Sequence, residues 1–236
     1  MKARGSSILF ILALAAGCQS SSTSSGDSGA GEAAAQNGDT KFSGFLGDYS
    51  QLKPAPDREG VLLYLDKSAN YQPYTKVMFD PVQVVVTPNP DYQIPPEETT
   101  RMADALLRSF RQALEPAYQV VTQPGPDVLR VRAAITGIQP AKPSAGAIDF
   151  LPIKAIYNVG REAAGAGPRV AEMAAEMEVL DPNGKRVAAA TATRKGETTL
   201  PQGGQITWND LQAINDYWAK NFRHRLDELR GVGGQG

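Results

Sequence analysis

The sequence predicts an α+β protein: a single domain whose helices pack on one face of a mostly antiparallel sheet, preceded by a signal peptide and a flexible tether. Three observations carry this. Runs rich in β-branched and aromatic residues stand on either side of a long amphipathic stretch, "EETTRMADALLRSFRQALEPA". A second pair of alternating runs flanks the turn sequence "DPNG". The chain then closes on another amphipathic stretch, "TWNDLQAINDYWAKNFRHRLDEL". Strands and helices segregated in this way assemble as layers around one core.

The N-terminus reads as a secretion signal. Lys2 and Arg4 supply a positive start, Ile8 to Ala16 an apolar run too short to span a bilayer, and Ala15, Ala16 and Gly17 are small. The chain's single cysteine, Cys18, follows at once. "LAAGC" resembles the recognition box of lipoprotein signal peptidase, departing from it in having Ala15 where Leu is commoner, with Leu14 one place early. The resemblance implies cleavage between Gly17 and Cys18, with lipid attached to Cys18. The alternative is ordinary cleavage after Ala13-Leu14-Ala15, which leaves a free thiol, a liability in an oxidising compartment. A diacylglyceryl group plus an N-acyl chain exceeds the two-signal threshold for stable membrane anchoring. In a Gram-negative host, Gln19 rather than Asp after the cysteine implies outer-membrane sorting, with the domain facing the periplasm.

Residues 18–41 contain almost no large apolar side chains, so burial cannot offset the entropy of ordering them, and a disordered tether is expected. Residues 42–230 form the domain, and 231–236 are a disordered tail. The chain holds 24 Lys and Arg against 25 Asp and Glu; removing residues 1–17 removes two basic side chains and no acid, leaving 22 against 25, or net −3. That balance is no footprint for nucleic acid.

Within the domain, "FSGFLGDYSQLKPAPDREG" mixes aromatics with Gly and Pro, which predicts a loop pinned by Phe42, Phe45, Leu46 and Tyr49. "VLLYL" and "TKVMFDPVQVVV" read as strands, with Pro81 at an edge or bulge because it lacks a donor. The first helix presents Met102, Leu106, Phe110, Ala113, Leu114 and Ala117 on one face, and Glu97 and Glu98 complement its N-terminal dipole. "YQVV" and "VLRVRAAITGI" flank "TQPGPD" as a hairpin, with Leu129, Val131, Ala133 and Ile135 on one face and Arg130, Arg132 and Thr136 on a solvated one. In "RVAEMAAEMEVL" local propensity favours helix, but alternation sets Met173, Met177 and Val179 opposite Glu172, Glu176 and Glu178, so strands are expected on both sides of "DPNG". In the last helix Thr207 and Asp210 resemble a capping box, and Leu211, Ile214, Trp218, Phe222, Leu226 and Leu229 form the buried stripe.

"LPIKAIYNVGREAA" predicts a further helix. Lys154, Asn158, Arg161 and Glu162 share one narrow arc, while an apolar arc including Ile153, Ile156, Tyr157 and Val159 is wider than one helix needs to sit on a sheet. Those four residues are the candidate surface for a protein partner, a second copy of the chain or the membrane surface, unless the aromatic N-terminal loop covers them.

"FSGFLGDYSQL", "YTKVMFDPVQV", "AEMAAEMEVLDPNGKRVAAATATRKG" and "WNDLQAINDYWAKNFRHRL" together resemble the bacterial lipoprotein family known as domain of unknown function 3313. The similarity spans most of the chain beyond the tether, and Asp181, Gly184 and "DYWA" are its more specific pieces. It implies a lipid-anchored envelope protein, and it brings no catalytic residues with it.

The residues offer little chemistry of their own. A metal site needs several His or Cys ligands; His224 stands alone once Cys18 is acylated, so neither metal nor cofactor is expected. A Ser-His-Asp triad would have to use that same His224, which falls in an exposed helical context. Gly184-Lys185 lacks the rest of a phosphate loop, and Gly165 with Gly167 lacks the third glycine of a dinucleotide fingerprint. A carboxylate pair among Asp48, Asp57, Asp80 and Asp149 would suit a cell-wall hydrolase, although such residues are usually turn formers. Trp208, Tyr217 and Trp218 are candidates for stacking on a ligand, Trp218 being placed on the core stripe instead. The expected function is a non-enzymatic binding or envelope-assembly accessory; the alternatives are that hydrolase and an auxiliary lipoprotein of a transport or secretion complex.

Overall fold

In the computed structural model the described residues are 42–232 without 57, 59, 87–93, 116, 143–166 and 203–205. Cys18 and Gly17 lie outside them, as do Asp57, Asp149, and the expected helix with Ile153, Ile156, Tyr157 and Val159.

The elements run β1 (Lys53–Pro54), β2 (Val61–Leu65), β3 (Lys76–Phe79), β4 (Gln83–Val84), α1 (Pro96–Leu114), β5 (Gln119–Val121), β6 (Val128–Ala141), β7 (Val170–Leu180), β8 (Arg186–Thr199) and α2 (Gln212–Arg230). They form one sheet in the order β1-β2-β8-β7-β6-β3-β5, with β4 pairing β6 beyond β3. From β1 to β6 every pairing is antiparallel. The pairings of β3 and β4 are parallel.

Alternation along the central strands separates two faces. Val131 lies opposite Val179, and Ile138 opposite Met173. These side chains meet both helices: Met102, Leu106, Phe110, Ile214 and Ala219 cluster with Ile135 and Met173, while Leu114 and Leu226 cluster with Leu129, Val131 and Val179. The helices therefore share one face, as the patterning predicts. A register shift between Ile135 and Gly137 is what hands the core position from Ile135 to Ile138. The β7–β8 hairpin closes on Asp181, whose Oδ1 accepts the N–H groups of Asn183 at 2.9 Å and Lys185 at 2.8 Å. Gly184 takes φ +79° there, a left-handed conformation that costs glycine nothing.

Four expectations are corrected. β5 and β6 do not form a hairpin: both run parallel to β3, one on each side of it. Because β5 has only three residues, "TQPGPD" needs to cover roughly 10 Å to return the chain to the start of β6. Thr207 and Asp210 do bond one another, through Oγ1 and Oδ2 at 2.8 Å, but in a turn ahead of α2, whose N-cap is Leu211. Ala117 lies past the end of α1 and is exposed. Arg130 and Arg132 are not a merely solvated pair: Arg130 makes a two-pronged bond to Asp80, both arms 2.8 Å, and Arg132 reaches a buried carboxylate.

Candidate functional site

The face turned away from the helices carries an unusual concentration of charge. Glu176 and Glu178 point to that side of β7 and are only 2% and 3% exposed. Two ionised carboxylates do not stay buried unless they are paired and hydrogen-bonded. What covers them is the segment 42–52.

Glu176 Oε1 accepts the Ser43 N–H at 2.9 Å, and its Oε2 accepts the Tyr49 hydroxyl at 2.6 Å. Glu178 is held between two guanidinium groups: Arg132 on β6 bonds Oε1, and Arg186 at the start of β8 bonds Oε2 at 2.7 Å. Arg186 then reaches into the covering segment, donating to the carbonyl oxygens of Asp48, at 2.7 Å, and of Leu46. The strand pairing places these groups together, since Arg132 lies opposite Glu178 and β8 brings Ala189 and Thr191 opposite Glu178 and Glu176. The floor is made of small side chains, including fully buried Ala134 and Ala189.

The segment itself is folded around Tyr49. The phenol oxygen accepts the N–H of Gly44 at 2.8 Å while its proton goes to Glu176. Burial, then the bond to Glu176, pushes the Tyr49 hydroxyl above its ordinary pKa. Leu46 is the segment's buried anchor, and Arg132 lies over the Phe45 ring with 5.2 Å to its centroid. Phe42 does not pin the loop by burial; it stacks on Tyr49 at 4.1 Å and is 46% exposed. Chemically, this is a slot that grips a chain by its amide, carbonyl, phenol and apolar groups.

A second concavity, of about 380 Å³, lies between α1 and the β3–β4 region. Phe79, Val82 and Val84 line one wall, and Ala103 and Leu107 the other, with Thr99, Asp104 and Arg111 also lining it. Among the described residues no three metal-capable side chains cluster.

The sequence-derived candidates disperse. Asp80 is engaged with Arg130. Asp48 is exposed and caps the Ser50 N–H at 2.8 Å, a bond that draws its pKa below the usual carboxylate value. His224 is exposed on α2, 3.1 Å from Glu228. Trp208 and Trp218 are partly buried against the core, and Tyr217 lies beneath Arg194, 3.4 Å from its ring centroid. Reasoning from sequence reached Tyr49 and the Glu alternation singly but missed their union. The available signal was parity: Glu176 and Glu178 fall on the same side of the strand pairing as Arg132.

The sequence profile of the family described as "Protein of unknown function (DUF3313)" matches residues 41–222. The chain belongs to this family. It is 26% identical over 179 residues to "Uncharacterized lipoprotein YdcL" of Escherichia coli K12, covering 75% of this chain and 81% of that one, and equally so to the protein of that name in strain O157:H7. The chain is accordingly a lipoprotein of the DUF3313 family. Among solved structures, the PelC dodecamer from Paraburkholderia phytofirmans aligns with a TM-score of 0.35 at 12% identity, covering 75% of this chain and 98% of that one. A DUF4136 family protein from Bacteroides thetaiotaomicron aligns at 0.33 and 8% identity, covering 73% and 98%. No helix among the described residues is long and apolar enough to cross a membrane.

Proposed function

We propose that this protein is an outer-membrane lipoprotein, acylated on Cys18 and facing the periplasm, that serves as a non-enzymatic binding or envelope-assembly accessory. Residues 1–17 are then the removed signal, 18–41 the tether and 42–230 the working domain. "LAAGC" and Gln19 support the anchor and its sorting, and the lipoprotein relatives agree with the first.

The observation that carries the non-enzymatic reading is how the charged groups are used. Glu176 and Glu178 are occupied in gripping residues 42–52 and neighbouring guanidinium groups, and Asp80 is occupied by Arg130. A glycosidase-like mechanism needs two carboxyl groups open to a substrate between them. Fractionation of envelopes on a density gradient tests the location, and incubation of the purified protein with peptidoglycan tests the activity. The expected result is co-sedimentation with the outer membrane, release of Cys18→Ser protein from that fraction, and no soluble muropeptides. Sedimentation with the inner membrane contradicts the sorting, and hydrolysis abolished by Asp80→Asn contradicts the accessory role.

A further inference from the structure

Residues 42–52 lie on the sheet face opposite the helices and are attached to it without a shared backbone ladder. Among the described residues, the backbone bonds of this segment are internal, Gly47 to Gly44, Asp48 to Leu46 and Leu52 to Tyr49, and the sheet ladder begins only at Lys53. The hold on the sheet comes from the side chains of Glu176 and Arg186 and from Arg132 lying over the Phe45 ring, together with the burial of Leu46. Neither hydrophobic core cluster includes a residue of the segment. The helix side of the sheet is complete without it.

The surface beneath is suited to exposure. Ala134, Ala189 and Thr191 offer little apolar area, and Glu178 keeps both guanidinium partners when the segment leaves, because those ion pairs lie within the sheet. Glu176 would exchange the Ser43 amide and Tyr49 phenol for water without being left as a buried lone charge. The Thr191 hydroxyl, 5% exposed as a residue and with no hydrogen-bond partner among the described residues, would gain one from water. Few apolar contacts and no shared ladder are the marks of a unit that opens on its own, below the free energy of global unfolding.

We propose that residues 42–52 are a releasable latch: they unseat from the slot over Glu176 and Glu178 while the sheet and both helices stay folded. Given the lipoprotein reading, on which this consequence rests, the latch lies between the lipid and the domain. Its release frees eleven of the residues between Cys18 and β1, about 35 to 40 Å of maximal reach at roughly 3.3 to 3.6 Å per residue. The state of the slot then sets the upper limit of the domain's reach from its anchor.

Hydrogen exchange of the full-length mature protein in detergent, read by mass spectrometry, tests the latch. The peptide spanning 42–52 is expected to exchange about 100-fold faster than peptides from β7 and β8. Tyr49→Phe, which removes the donor to Glu176, should speed exchange of that peptide about tenfold more, one hydrogen bond to a charged group being of that size. Leu46→Ala should do so through lost burial, and neither variant should alter the β7 and β8 rates. Exchange of 42–52 at the β7 and β8 rate, or acceleration of all three together in both variants, overturns the latch. The intact mass of the same preparation reports the acyl groups, so a failure of the anchor shows there and a failure of the latch shows in the exchange.

Discussion

The hydroxyl of Tyr49 donates to Oε2 of Glu176 across 2.6 Å, joining two residues 127 positions apart in the chain. This bond requires a protonated phenol, and burial with the adjacent carboxylate keeps it protonated beyond the ordinary tyrosine range. A group that holds its proton more tightly when folded contributes stability that is complete below the unfolded pKa, about 10, and is lost as pH rises through the folded value. Proteolytic sensitivity within residues 42–52 should therefore stay flat up to about pH 10 and rise above it. Tyr49→Phe should be sensitive already at neutral pH, with the alkaline rise reduced.

Arg186 is bound on one side to Glu178 and on the other to the carbonyls of Leu46 and Asp48. Arg186→Met leaves Glu178 buried with Arg132 as its remaining ion-pair partner among the described residues. We expect a loss of about 2 to 4 kcal/mol in urea unfolding. Adding Glu178→Gln should recover part of that loss, giving a coupling energy of about 1 kcal/mol or more in the double-mutant cycle. Strictly additive effects would mean that Arg186 acts through the carbonyls alone.

Asn215 sits on α2 at 1% exposure, and neither its amide nitrogen nor its oxygen has a partner among the described residues. Burying unsatisfied polar atoms costs more than replacing them with an apolar group of similar volume. Asn215→Leu is therefore expected to stabilise the domain, by about 1 kcal/mol. A lowered melting temperature would show that the amide holds something in place that the leucine cannot.

The helices and the β7–β8 hairpin were legible because their causes are local. Met102, Leu106 and Phe110 repeat at helical spacing, and Asp181 with Gly184 makes a turn within a few residues of chain. Period-two alternation also put Glu176 and Glu178 on the face away from the helices. That this face is covered was not legible, because the cover arrives from Ser43, Leu46 and Tyr49, more than 120 positions upstream, and no periodicity encodes a contact made through individual side chains. The β5–β6 hairpin was misread for a related reason: "TQPGPD" has hairpin turn chemistry, yet β3 takes the place between the two strands, and that choice depends on the parallel crossover through α1. Ile153, Ile156, Tyr157 and Val159 lie outside the described residues, so the partner surface read from their apolar arc stays a sequence expectation.

The proposed function requires that the domain hang from a lipid on Cys18. Intact mass spectrometry of the mature protein, with its Cys18→Ser counterpart alongside, reads that attachment. The expected mature chain begins at Cys18 and is heavier than its sequence by a diacylglyceryl group and one N-acyl chain, with the Cys18→Ser protein carrying neither. A mature chain that begins elsewhere, with Cys18 present as an unmodified thiol, would contradict it.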